Sequence, residues 1–549
     1  MSLCPQPAYL IPDETRRVAH AAFPKGALCL RMVEMLGQLY HDDQFTALFP
    51  TRGQPAASPA RLALALVLQY VEGLSDRQAA DAVRGRIDWK YALGLELTDP
   101  GFDHTVFSEF RSRLVDSQAD RLLLDTLLHR LRDLGLIKSR GKQRTDSTYV
   151  LAAVRSLNRL ERAGETMRAA LNELAVLAPD WLRRAAPPEW YKRYASRVEN
   201  YALPKSDAAR QEWARVIAAD GERLLAAVDA ATDQPLLAQS PAVVTLRRVW
   251  AEQYTGKPGQ LCWREVKDMP SSAELITSPY DTEARFSTKR EVKWVGYKAH
   301  LTETCDEKKP HLIVNIETTP ATTPDDNMLE KIHESLKMRD LLPAEHLVDK
   351  GYTDAHVLVH SQLQYGVTIV GPVADDPSWQ ARDGTGFDKG SFIVDWDRQV
   401  VTCPAGKQSI SWLPNTYPQN GIAFEARFAR NDCGPCPHRA RCTKAKQEPR
   451  IIGLQAREHH EALRVARRRQ KTEEFRERYA ARAGIEGTHE QAIRRCGLRR
   501  CRYIGQAKGC LQHVLTAVAV NLVRLNEWWA GNPTAKTRCS RFGALAQAA

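Results

Sequence analysis

Apolar positions divide the chain into stretches of different period. Leu62, Leu66 and Tyr70, then Phe107, Phe110 and Leu114, recur at helical intervals and predict a helical segment to about residue 135. Within it Gly73 ends one helix. Ser75 followed by Gln78 reads as a capping box opening the next, before Ala79, Ala82 and Val83. Two short helices joined by a tight turn fit a helix-turn-helix or an ordinary bundle, and Arg84, Arg86 and Lys90 tilt the reading toward DNA. A short strand with a weak hydrophobic pattern is expected at Arg144–Val150. A packed helix face then follows through Leu157, Leu160, Gly164, Met167, Leu171 and Leu174. Alternation through Val295, Tyr297, Ala299 and Leu301, and the run Leu312–Ile316, predict neighbouring strands of one sheet. A helix from about Asp325 to Arg339 leads to an apolar strand tip, Leu347-Val348, that ends in Asp349; Val367–Val370 gives a further strand. An acid at such a tip is a usual place for chemistry in a sheet.

These periods divide the 549 residues into a helical N-terminal domain (1–135), a first core segment (136–155), a helical insertion (156–270), core sheet and helices (271–377), a Cys-rich insertion of β type (378–450), C-terminal helices (451–529) and a disordered tail (530–549). The fold class is α/β in the α+β multidomain sense. Hydrophobic content of 43% with 26% charged residues is that of a globular protein. The start of the chain has no charged segment followed by an apolar one, and no apolar run approaches the roughly 20 residues of a membrane span, so a cytoplasmic location and no membrane partner are expected.

Charge adds a location to this picture. The net charge is +12 and the pI about 9.1, favouring a polyanionic partner. From Arg464 to Lys508 there are 14 Lys and Arg against 5 Asp and Glu, a balance of +9. The run Arg467, Arg468, Arg469 and Lys471 reads as a track for DNA backbone. Inside this region lies Glu486, spaced Y-x2-R-x3-E from Tyr479 and Arg482. A carboxylate amid so much positive charge has a purpose if it holds a metal ion. Asp146 and Asp349 are the partner acids that strand ends could bring to it, and hard oxygen ligands suit Mg²⁺ or Mn²⁺. Glu490, one turn later on the same face, is the rival for the last position.

Cys403, Cys433, Cys436 and Cys442 form the pattern C-x29-C-x2-C-x5-C. Four thiolates among Gly434, Pro435 and Pro437 would suit a structural Zn²⁺; the alternative is a group of unpaired thiols in a loop. The other cysteines read as packing residues.

Taken together, Arg144-Thr-Asp146-Ser-Thr148, Val348-Asp349-Lys-Gly351-Tyr352 and Tyr479-x2-Arg482-x3-Glu486-Gly-Thr488 resemble the DDE transposases of bacterial insertion sequences, the nearest being the insertion-sequence family numbered eleven eighty-two. The resemblance extends to Gly296-Tyr297-Lys298 and Asn521-Leu522-Val523-Arg524-Leu525. It implies a ribonuclease-H-like catalytic core, with Asp146, Asp349 and Glu486 as the catalytic, Mg²⁺-binding acids and Tyr479 and Arg482 as signature residues at the DNA. It also implies double-stranded DNA as element end and target, and a homo-oligomer assembled on it. Related transposases often carry a lysine seven residues after the glutamate. Here Ile493 stands there, with Arg494 and Arg495 alongside as alternative phosphate contacts. The expected activity is metal-dependent cleavage at the element's ends followed by strand transfer. The alternatives are a transposase-derived DNA-binding protein without catalysis and a metal-dependent DNA nuclease.

Overall fold

A computed structural model describes residues 2–415 and 422–532, so the tail expected to be disordered lies outside the described residues from 533 onward. The organising element is a strand that is polar and central at once. β1 (Lys142–Leu151) is buried from Gln143 to Thr148, all six of them polar. Sequence periodicity makes this a short, weak strand because its burial is not apolar. It is stable there because its polar groups find partners. Gln143 donates to Leu341 O (2.7 Å), Thr145 bonds Thr302 and His346 (both 2.7 Å), and Thr148 accepts from Arg499 (3.1 Å).

The remaining strands of this six-stranded sheet are β2 (Arg285–Lys289), β3 (Val292–Thr304), β4 (Ile313–Pro320), β5 (Glu345–Val348) and β6 (Thr368–Val370). β3 lies antiparallel to β1 and also pairs with β2 and β4; on the other side β5 and then β6 run parallel to β1. The expected pair of strands around Tyr297 and Ile316 is thus β3 and β4.

One continuous apolar core joins this sheet to the N-terminal helices and to the closing helix Gln506–Trp529. The closing helix is buried along most of its length and packs on β4 and on helix Pro59–Glu72. Its Asn521 finishes the sheet: Oδ1 accepts from Ile313 N at 2.7 Å and Nδ2 donates to Ile313 O at 2.8 Å, both fully buried. Replacing Asn521 by Leu strands both backbone groups. A loss of about 2–4 kcal/mol in a denaturant titration is expected.

The capping box at Ser75 and Gln78 is present, and Gly73 ends helix Pro59–Glu72 in the left-handed conformation at φ 70°. Of the basic residues that tilt this segment toward DNA, Lys90 is held within the fold, Arg86 is half-exposed between two acids and Arg84 is exposed. Lys90 is buried and donates to Asp99 O at 2.6 Å, Arg86 is paired with Glu72 and Asp88, and Arg84 lies 3.2 Å from Asp81.

The helical insertion has a core of its own, in which Leu160, Met167 and Leu174 from the expected stripe meet Ile217, Leu224, Val243 and Leu246. The Cys-rich insertion builds a small three-stranded sheet, Ser411–Pro414, Phe424–Arg427 and Ile451–Leu454, beside the pair Ile393–Asp395 and Val400–Thr402. Among the described residues, no helix is long and apolar enough to cross a membrane.

Candidate active site

Register brings the first two acids together. β1 and β5 run parallel with Thr145 opposite Val348, so Asp146 and Asp349 are the next residues on two neighbouring strands. Adjacent strands lie about 4.8 Å apart and equivalent positions share a face, so both carboxylates emerge side by side. Asp349 stands just past its strand and caps the turn that follows, accepting from Gly351 N at 2.9 Å.

The third acid arrives on a helix. Glu486 sits in the first turn of Gly484–Cys496, whose Ile485, Thr488 and His489 are buried while Glu486 itself is exposed. Arg482, one turn earlier, connects the set. Its Nη2 lies 2.6 Å from Asp146 Oδ2 and 3.8 Å from Asp349 Oδ2, and its Nη1 lies 3.3 Å from Glu486 Oε1. One guanidinium therefore touches all three acids.

Burial pushes the Asp146 carboxyl above its ordinary value, with Asp325 adding to the rise and Arg482 and Lys289 opposing it. Asp349 is raised by burial and then by Asp146, against Arg482. In both carboxyls burial is the largest cause, and a neighbouring acid adds to it: Asp325 for Asp146, and Asp146 for Asp349. Tyr479 stacks on Phe475 at 5.5 Å between ring centres. Its hydroxyl is raised by burial, with Asp349, Asp146 and Glu486 also contributing and Arg482 opposing.

Glu490 points to other company, pairing with the exposed Arg494. Arg495 donates from Nε to Val71 O at 2.9 Å, tying the helix to the N-terminal segment, and Ile493 is half-buried against the main core. In the basic run, Arg467 donates to Ala374 O and Arg469 to Ile369 O, each at 2.9 Å, while Arg468 and Lys471 are exposed. Arg467, Arg468 and Lys471 line a cleft of about 960 Å³ between their helix and the Cys-rich insertion.

Asp325, a residue without a motif, completes the centre together with Lys298 and Ser147. Asp325 takes Lys298 Nζ at 2.9 Å and Ser147 Oγ at 3.1 Å; Lys298 also donates to Thr323 O at 2.7 Å. A side chain added at Gly351 would meet both Asp349 and Asp325, and Asp325 also acts on the Asp146 carboxyl, so this fourth carboxylate borders the two aspartates. Nothing in the local sequence marks Asp325, since its partners are 27 and 178 residues away.

Cys403, Cys433 and Cys442 pack against the small core that contains Phe392, Ala426 and Phe428. Burial raises the Cys442 thiol, and Cys433, Cys403 and Cys436 raise it further. Among the described residues no group of three or more His, Cys, Asp or Glu side chains is arranged to hold a metal ion, so the expected zinc site finds no support. The same is true of the acidic centre as it stands, with Arg482 among its carboxylates, but the donor chemistry there suits a hard dication: carboxylate oxygens from β1, the end of β5 and a helix converge on one cationic group.

Two family models match the chain. One, described as a transposase DDE domain, covers residues 402–526; the other, described as a transposase domain (DUF772), covers residues 17–113. The first span includes Tyr479, Arg482 and Glu486 and leaves Asp146 and Asp349 outside. No curated protein and no solved structure matches the chain.

Proposed function

We propose that the chain is a DDE transposase that binds the ends of its own element, cleaves DNA there in a metal-dependent reaction and joins the freed 3′ hydroxyl to a target. The observation that carries this is the single guanidinium in reach of Asp146, Asp349 and Glu486, residues 203 and 137 positions apart along the chain. Transposase models matching both ends of the chain support the same class. A sheet with an antiparallel partner on one side of β1 and parallel strands on the other supports the ribonuclease-H-like reading of the core.

In this reading Asp146, Asp349 and Glu486 hold Mg²⁺ or Mn²⁺. When bound, the ions supply activation of the attacking oxygen and neutralisation of charge on the leaving one. The chain's own residues hold the substrate. Tyr479 and Arg482 face the scissile phosphate, Arg468 and Lys471 follow the backbone along the cleft with Arg467 behind them, and Arg494 extends the track where Arg495 is tied to Val71. Glu486 is favoured over Glu490 as the last acid because Arg482 reaches it, while Glu490 turns to Arg494. The DNA partner is double-stranded, and a homo-oligomer would bring two ends together.

A pre-cleaved element end with a free 3′ hydroxyl, incubated with target DNA and Mg²⁺, tests the reading. Strand joining is the expected result. Cleavage without joining would instead identify a nuclease, and binding alone a regulator. For the backbone track, Arg468→Ala is expected to weaken binding alike on all sequences. It should lower the slope of log K against log salt by about 1, as loss of one phosphate contact requires.

A further inference from the structure

Arg482 differs from every other arginine around the acids in having nothing else to hold. Arg144 is fixed to Glu303 and to Ala481 O, Arg499 to Thr148 at 3.1 Å, and Arg524 to Glu303 and His311 O at 2.6 and 2.7 Å. Among the described residues Arg482 bonds no backbone carbonyl, its buried Nε finds no partner, and its ion pairs are with Asp146, Asp349 and Glu486. The side chain is only 13% exposed, so this position is enclosed rather than drifting in solvent.

A guanidinium and a dication ask for the same carboxylate oxygens, and cations a few ångströms apart repel strongly in a half-buried site. Either can neutralise the three acids; both together are opposed. What could draw Arg482 away is a phosphate, which a guanidinium grips through two parallel N–H bonds.

We propose that Arg482 is an internal counter-cation that competes with the metal for Asp146, Asp349 and Glu486, and that a DNA phosphate displaces it, so that DNA and dication bind with positive coupling. The inference rests on the reading of these acids as a metal centre. Its consequence is that the protein without DNA holds dications weakly and completes its metal site only on its substrate. Linkage makes the coupling reciprocal: DNA must tighten the metal by the same factor as the metal tightens DNA.

The test is calorimetric titration of Mn²⁺ into the full-length protein, with and without a short DNA duplex, for wild type, Arg482→Gln and Asp349→Asn. Asp349→Asn with the same duplex corrects for Mn²⁺ taken up by DNA itself. Without DNA, Arg482→Gln is expected to bind Mn²⁺ at least tenfold tighter than wild type. Adding the duplex should tighten wild type by a similar factor and leave Arg482→Gln nearly unchanged. If Arg482→Gln binds no tighter than wild type while binding still requires Asp349, the competition is wrong and the metal centre stands. If wild type and Asp349→Asn bind Mn²⁺ alike, both fall. Should Arg482→Gln fail to fold, as circular dichroism would reveal, wild type alone decides: a duplex that leaves Mn²⁺ affinity unchanged overturns the proposal.

Discussion

Asp349→Asn is expected to lower Mg²⁺-dependent strand cleavage by at least about a thousandfold while leaving DNA binding within a few-fold of wild type. A factor of that size corresponds to about 4 kcal/mol of transition-state stabilisation, within reach of one ligand to a catalytic ion. The substitution keeps shape and removes one negative charge from a site where burial and Asp146 already raise the Asp349 carboxyl. The fold should tolerate it, because the charged form of Asp349 is disfavoured where it stands. Asn can also still accept from Gly351 N. Cleavage of a labelled element end, beside a binding assay on the same DNA, measures both quantities. Cleavage retained at wild-type level would remove Asp349 from the catalytic set. Asp146→Asn is expected to behave alike, since β1 and β5 present the two acids in one register.

Glu303→Gln is expected to act in the opposite sense, costing about 3–5 kcal/mol of stability and reaching activity only through the fold. Glu303 on β3 is fully buried and accepts from Arg144 Nε at 2.7 Å, Arg524 Nη1 at 2.6 Å and Thr488 Oγ1 at 2.7 Å. Arg144 continues to Ala481 O, and Arg524 to Thr488 and Gln491. One carboxylate thus ties β1, the glutamate helix and the closing helix together, fixing where Glu486 stands relative to Asp146. Burial alone would raise the Glu303 carboxyl, but Arg524 and Arg144 outweigh it and hold it below its ordinary value. A lowered folded value means the stabilisation is present above the unfolded glutamate value, about 4.3, and is lost as pH falls through the folded one. Removing the charge leaves two guanidinium groups facing an uncharged amide in the interior. Denaturant titration at neutral pH checks the loss. A change under 1 kcal/mol would show that the network is not the tie it looks to be.

Asp349 and Glu303 also mark the limit of what could be read from the chain. Asp349 was legible because an apolar strand tip, Leu347-Val348, runs straight into it, and Glu486 because Tyr479 and Arg482 precede it at fixed spacing on a helical segment. Glu303 and Asp325 were not. Each is one of 66 acidic residues, without a motif, and its partners come from distant segments: Glu303 meets residues 159, 185 and 221 positions away. Lys90 and Arg86 show the converse, since a basic residue in a helix looks unengaged in the sequence until the fold supplies a backbone carbonyl or an acid beside it.

Sequence by itself determined the elements and the chemistry on offer. Period marked the helices and strands, since burying one face requires apolar residues at 3.6 or 2 residue intervals, and composition marked the basic C-terminal region. Tertiary structure decided the assembly. The parallel register of β1 and β5 depends on pairings between segments some 200 residues apart. The polar centrality of β1 depends on partners for six buried polar residues, and the place of Arg482 depends on three acids that meet only once the sheet has formed. Local pattern records what a residue prefers beside its neighbours in the chain, whereas a carboxylate centre is fixed by which distant groups compensate its charge.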